Sequence, residues 1–139
     1  MAAVAYERGS QAFILQNITT AGGGNDVSGT TAPANAKVYS IVPTVARGQL
    51  PTYSAFQVDL GGGTATSIKI NIYGSLDGVN FYVIGTLTIT SGTVGAIFTP
   101  GAGETTSPIG FPASVKYLTA GWVSGTLAGG TGLSISFAM

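Results

Sequence analysis

Ile72-Tyr73-Gly74-Ser75-Leu76-Asp77-Gly78-Val79-Asn80-Phe81-Tyr82 places a tight turn between two alternating segments. On its N-terminal side Ile68, Ile70 and Ile72 alternate with Lys69, Asn71 and Tyr73. On its C-terminal side Phe81, Val83, Leu87 and Ile89 are assigned to one face, and Thr86, Thr88 and Thr90 to the other. A period of two belongs to a strand with one face buried and one wet. Asp-Gly between two such runs is a strong short-range hairpin signal. Asp77 can bond its own backbone, and Gly78 can take positive φ at no steric cost. An antiparallel hairpin is therefore expected here.

The same pattern extends in both directions. Phe56, Val58 and Leu60 alternate with Gln57 and Asp59. Leu118, Ala120 and Trp122 alternate with Tyr117, Thr119 and Gly121, and Leu133, Ile135 and Phe137 with Ser134 and Ser136. Further strands are expected at Ala12 to Ile18, Val38 to Val45 and Val94 to Phe98, with Pro43 marking an edge or bend. Gly61-Gly62-Gly63, Ser91-Gly92 and Gly129-Gly130 punctuate the runs, and the last two strands read as a second hairpin. No stretch has helical periodicity. The expectation is an all-β chain, a single antiparallel β-sandwich or jelly roll of about eight strands. Residues 12–139 form that domain. Residues 1–11 lack alternation and read as an N-terminal arm. Strand order stays open, because eight alternating strands fit several Greek-key topologies.

Composition bears on function by what is scarce. The 139 residues include no His and no Cys, with five basic and five acidic side chains. That is 7% charged, against roughly 25% in an ordinary soluble domain. General acid-base and nucleophilic catalysis draw mainly on the missing residue types, so no enzymatic activity is expected. Zero net charge without a basic stripe argues against nucleic-acid binding. No uncharged stretch is apolar enough to read as a membrane span. Residues 1–8 contain no apolar h-region and do not resemble a signal peptide, so synthesis in a host cytoplasm is expected. Weak charge promotes association.

Individual motifs mostly resolve to structure. Asn25-Asp26 has no second acid nearby, as a calcium site requires, and reads as a turn. Gly22-Gly23-Gly24 and Gly61-Gly62-Gly63 lack the Lys-Ser/Thr of a phosphate loop. A Ser nucleophile would have to pair with Lys37, Lys69 or Lys116, all of which sit on or beside strand patterns with a solvated face. No cofactor or metal is expected. Trp122, Tyr117, Tyr53, Phe111 and Tyr82 are the candidates for a sugar-stacking platform, but Trp122 is in phase with Leu118, which favours core packing. Ala21 to Asn35 is a long loop of small and polar residues anchored by Val27 alone, and Pro100 to Pro112 is a second long loop. Loops of this length are usually functional or disordered.

The Ile72–Tyr82 string resembles the GSLDG-x-N-aromatic hairpin of small β-sandwich proteins in tailed-bacteriophage virions. It is also similar to the S-x-DG-x-x-W hairpin of discoidin-like carbohydrate-binding sandwiches, where the aromatic is usually Trp rather than Phe81. The phage resemblance implies a virion structural protein, most of all a capsid decoration (cement) protein. Such proteins are often jelly rolls, often trimeric, and commonly dock through a terminal arm. The expected partners are further copies of the chain, the major capsid protein and other virion proteins, with no nucleic acid and no membrane. The expected location is the capsid surface. A tail or neck subunit and a carbohydrate-binding module are the alternatives. Interface candidates are Tyr6, Arg8, Phe13, Val27, Tyr53 and Phe111.

Overall fold

A computed structural model of the chain describes residues 11–40, 55–98 and 115–138. Eight strands lie among them: β1 (Ala12–Ile18), β2 (Tyr39–Ser40), β3 (Ala55–Asp59), β4 (Thr64–Ser75), β5 (Tyr82–Gly92), β6 (Ala96–Phe98), β7 (Tyr117–Ala128) and β8 (Leu133–Ala138). The described helical content is one 3₁₀ turn at Gly23–Asn25. The strands form two four-stranded antiparallel sheets, β1-β8-β3-β6 and β2-β7-β4-β5. The all-β sandwich expected from the alternation is thus present.

Strand order has a simple logic. β4 pairs with β5, β3 with β6, β2 with β7 and β1 with β8, all antiparallel. The chain is one long hairpin folded about the β4–β5 turn, with each pair nested outside the last. Wrapping that hairpin adds the β4–β7 and β3–β8 contacts and divides the strands between two layers. This is the jelly-roll arrangement.

The last two strands are not the hairpin that Gly129-Gly130 suggested. β7 and β8 lie in opposite sheets, and residues 129–132 cross between the layers. Leu118, Ala120 and Trp122 face Leu133 and Ile135 from across the sandwich, all at 0% exposure. Alternation gives each strand a buried face but does not say which layer carries it. The crossing is tied to the β3–β4 crossing, where the Thr131 N–H donates to the Gly61 carbonyl at 2.9 Å.

Val83 also departs from its assigned face. Gly85 pairs with Ile72 and Val83 with Tyr73, so Ile84 is an extra residue in β5. Such a bulge shifts the side-chain phase by one. Val83 is consequently exposed, Ile84 packs against the core, and Phe81 and Ile89 are buried as expected.

The core fills the space between the layers with Ile14, Leu15, Phe56, Ile68, Ile70, Ile72, Trp122 and their neighbours. Trp122 satisfies its indole N–H on the Ser124 carbonyl at 2.8 Å. Tyr39 packs edge-on to Phe137 at 5.1 Å and donates its hydroxyl to the Phe13 carbonyl at 2.6 Å. Of the two strands only partly described, β2 begins near the expected Val38, while 41–45 lie outside the described residues. Of the expected arm only Gln11 is described, and its amide donates to Ser136 Oγ at 2.9 Å.

Ile70 is fully buried and Ile97 is 71% exposed on β6. Urea denaturation should therefore show Ile70→Ala losing about 2–5 kcal/mol, and Ile97→Ala changing stability by no more than ~0.5 kcal/mol.

Candidate functional site

Two polar clusters on the outer surface of the β2-β7-β4-β5 sheet account for most of the described side-chain hydrogen bonds, and one loop joins them. The first begins with strand parity. Ile68, Ile70 and Ile72 point inward, so Asn71 and Tyr73 point outward. They are nevertheless buried, because the Ala21–Asn35 loop lies over them. Asp26 Oδ1 accepts the Tyr73 hydroxyl proton at 2.7 Å. The Asn71 amide donates to the Tyr73 oxygen at 3.2 Å, and Thr86 donates to Asn71 Oδ1 at 2.8 Å. The chain of donors runs across three elements: β5, β4 and the loop.

The loop can lie this close because β7 presents Gly121 beneath it. A Cβ there would run into Asp26 Oδ1. Further bonds seat the loop. The Gly22 N–H donates to the Trp122 carbonyl at 2.9 Å, and Thr119 donates its hydroxyl to the Lys37 carbonyl at 2.9 Å. Asn25 is buried, donates to the Thr20 carbonyl and accepts from the Asn35 amide, both at 2.9 Å. Asn25-Asp26 is thus the inner lining of a loop seat, beyond the plain turn read from the sequence.

The second cluster is the β4–β5 turn. Asp77 Oδ1 accepts the backbone N–H groups of Val79 and Asn80 and the Ser75 hydroxyl, each at 2.9 Å. Its Oδ2 accepts from the Asn80 side-chain amide at 3.0 Å. Gly78 has φ 77° and donates its N–H to Ser75 Oγ at 2.9 Å. The backbone and side-chain bonds from Asn80, then Val79 and Ser75, hold the Asp77 carboxyl well below the usual carboxylate range. The loop tip reaches this turn: the Phe81 N–H donates to the Thr30 carbonyl, and Thr30 donates its hydroxyl to Asn80 Oδ1, both at 2.9 Å.

Chemically, the arrangement is built to hold shape. Burial, then the bond to Asp26, pushes the Tyr73 pKa up to about 12. That keeps its proton on, the opposite of a general base poised near neutral pH. Among the described residues no three His, Cys, Asp or Glu gather as metal ligands. Described grooves measure about 260 and 330 Å³, at or below the small end of ligand pockets (~300–1,000 Å³). Tyr82 is exposed beside Asp77 and Asn80, but both Asp77 oxygens and both ends of the Asn80 amide are engaged within the turn.

Of the sequence-derived interface candidates, Phe13 is half-buried on β1 and Val27 is half-buried in the loop. Neither is near the other's cluster of bonds. Tyr6, Arg8, Tyr53 and Phe111 lie outside the described residues, as does the Pro100–Pro112 loop. Lys37 and Lys116 are exposed and Lys69 is half-buried. Tyr73, Asn71, Thr30 and Asn80 were not anticipated. Their one sequence signal is a Tyr and an Asn on a strand face that otherwise carries small polar residues.

Both clusters make stability depend on pH. Tyr73 has a raised pKa in the folded state, so its contribution is complete below about pH 10 and is lost as pH rises toward 12. Tyr73→Phe should flatten that alkaline decline. At neutral pH it should lower unfolding stability by about 1–3 kcal/mol, because Asp26 and Asn71 lose a buried partner. Asp77 has a lowered pKa, so its contribution is present above its unfolded value near 3.8 and fades as pH falls. Asp77→Asn should melt below the wild type at pH 7, with the gap narrowing on acidification from pH 5 to pH 2. Thermal melts across that range check this.

Comparison with known proteins gives no family: no family model, no curated protein and no solved structure matches the chain.

Proposed function

We propose that the chain is a non-enzymatic structural subunit of a tailed-bacteriophage particle, most specifically a decoration protein on the outside of the head. The observation that supports this reading is the Gly74–Phe81 hairpin, the string that resembles phage virion sandwiches, standing at the pivot of a jelly roll with only ten charged side chains in all. The polar clusters are turned inward to hold a loop and a turn. What remains outside is largely uncharged surface, suited to contacts through apolar area and main-chain hydrogen bonds.

The mechanism is mechanical. Subunits that bind the intact shell and not its parts stabilise it by mass action. Contact surfaces are the Met1–Gln11 arm, the Pro100–Pro112 loop and the tip of the Ala21–Asn35 loop near Val27. A carbohydrate-binding module fits less well. The one Trp is at 0% exposure in the core, where it cannot stack on a sugar.

Deleting residues 1–11 should leave the melting transition of the domain in place and abolish binding. Co-sedimentation of wild-type and truncated protein with undecorated phage heads measures this. Heads that pellet with neither form would overturn the reading. Equal pelleting of both would remove the arm from the mechanism.

A further inference from the structure

The four sheet edges are treated very differently. Strand edges offer rows of unpaired N–H and C=O groups, and proteins blunt them with brevity, bulges, charge or Pro. Among the described residues β2 is two residues long and β6 three. β1 is broken by two register shifts and by Asn17 at φ 52°. β5 has none of these protections over its second half. It is 11 residues long, and its one irregularity against β4 lies at Ile84. Beyond that bulge, Leu87 to Gly92 runs in unbroken register with β4, from the Ile70–Leu87 pair to the Ala65–Gly92 pair. It contains no Pro, and no charged residue occurs between Asp77 and Glu104.

We propose that the Leu87–Gly92 edge of β5 pairs antiparallel with the same edge of a second copy of this chain. The pairing joins two β2-β7-β4-β5 sheets into one of eight strands. The lack of charge identifies the occupant. A two-fold axis sets each residue near its own equivalent, which would oppose like charges on an ordinary edge and is destabilising. Here Thr88, Thr90 and Ser91, all exposed, meet their own kind as β-branched or hydroxyl pairs. Two-fold pairing is also selected by the other edges. Among the described residues none offers an unbroken strand of matching length to receive β5 head-to-tail, as the trimer implied by the phage resemblance would require. Exposed Tyr82 (63%) and Val83 (46%) extend the uncharged surface beside the edge. The inference rests on the reading of the chain as an assembly subunit only in expecting self-association, and not on the identity of the shell.

The chain has no Cys, so single cysteines report cleanly. Cα atoms of directly opposed antiparallel residues are about 4.5–5.5 Å apart, within disulfide reach. Thr88→Cys or Thr90→Cys should give a covalent dimer under mild oxidation, and Thr126→Cys on β7 should not. Sedimentation velocity of the full chain should show a dimer that Thr90→Lys weakens at least tenfold, with circular dichroism unchanged. A monomer at about 100 μM, or crosslinking at β5 no greater than at Thr126, would overturn the pairing. A stable oligomer indifferent to Thr90→Lys would also overturn it, while leaving the assembly reading intact. Failure to bind phage heads by a protein that still dimerises through β5 would do the reverse.

Discussion

One carboxylate fixes the point about which this chain folds back. β4–β5 is the only strand pair closed by neighbours in sequence, and Asp77 closes it by accepting backbone N–H groups at Val79 and Asn80. Each further pair is nested outside it. β3–β6, β2–β7 and β1–β8 join segments progressively farther apart, and each closure shortens the loop left for the next. Closing a loop grows dearer with its length, if slowly, and non-local pairing limits folding speed. Without the inner hairpin, Ala12 and Phe137 would have to meet across nearly the whole chain. With it, they meet as the last step of a zipper.

The same economy explains the outer face of the second sheet. A loop rich in Gly, Thr and Ala has little apolar area with which to hold itself down. It is held by hydrogen bonds instead: Asp26 on Tyr73, Thr30 on Asn80, and Gly22 on the Trp122 carbonyl. Buried polar groups destabilise a fold unless partnered, and these are partnered. The loop therefore spans from the end of β1 to the β4–β5 turn, so the two ends of the layer share one network. Phe13 and Val27 matter less as free contact residues than the sequence suggested, since each sits half-buried in or beside this framework.

Much of the fold was legible because it is local. Alternation located every described strand, and Asp77-Gly78 marked the true hairpin. What was not legible needed long-range information. Gly129-Gly130 looks like a hairpin turn, yet it crosses between layers, because a buried face is the same signal in either sheet. Val83 was placed on the buried face because period two was continued through Ile84, where one extra residue reverses the phase. The Asp26–Tyr73 bond joins residues 47 apart and leaves no local mark beyond an outward Tyr. Gly121 is the clearest case. Its missing side chain has no meaning within β7 and becomes intelligible only when Asp26 is above it.

Function stands one step further from the pattern, because a jelly roll serves capsids and lectins alike. The side chains discriminate where the fold does not. A lectin-like use needs an exposed aromatic with free polar neighbours. Here the Trp is internal, and the polar groups beside exposed Tyr82 are spent on the turn. A chain with few charges also gives up the usual means of keeping strand edges apart. Three described edges are instead protected by shortness or irregularity, and those protections are absent from one stretch of β5. An uncharged, regular edge is a hazard for a protein that must remain alone and an asset for one that must join others. That asymmetry, more than the fold itself, is what favours an assembly subunit.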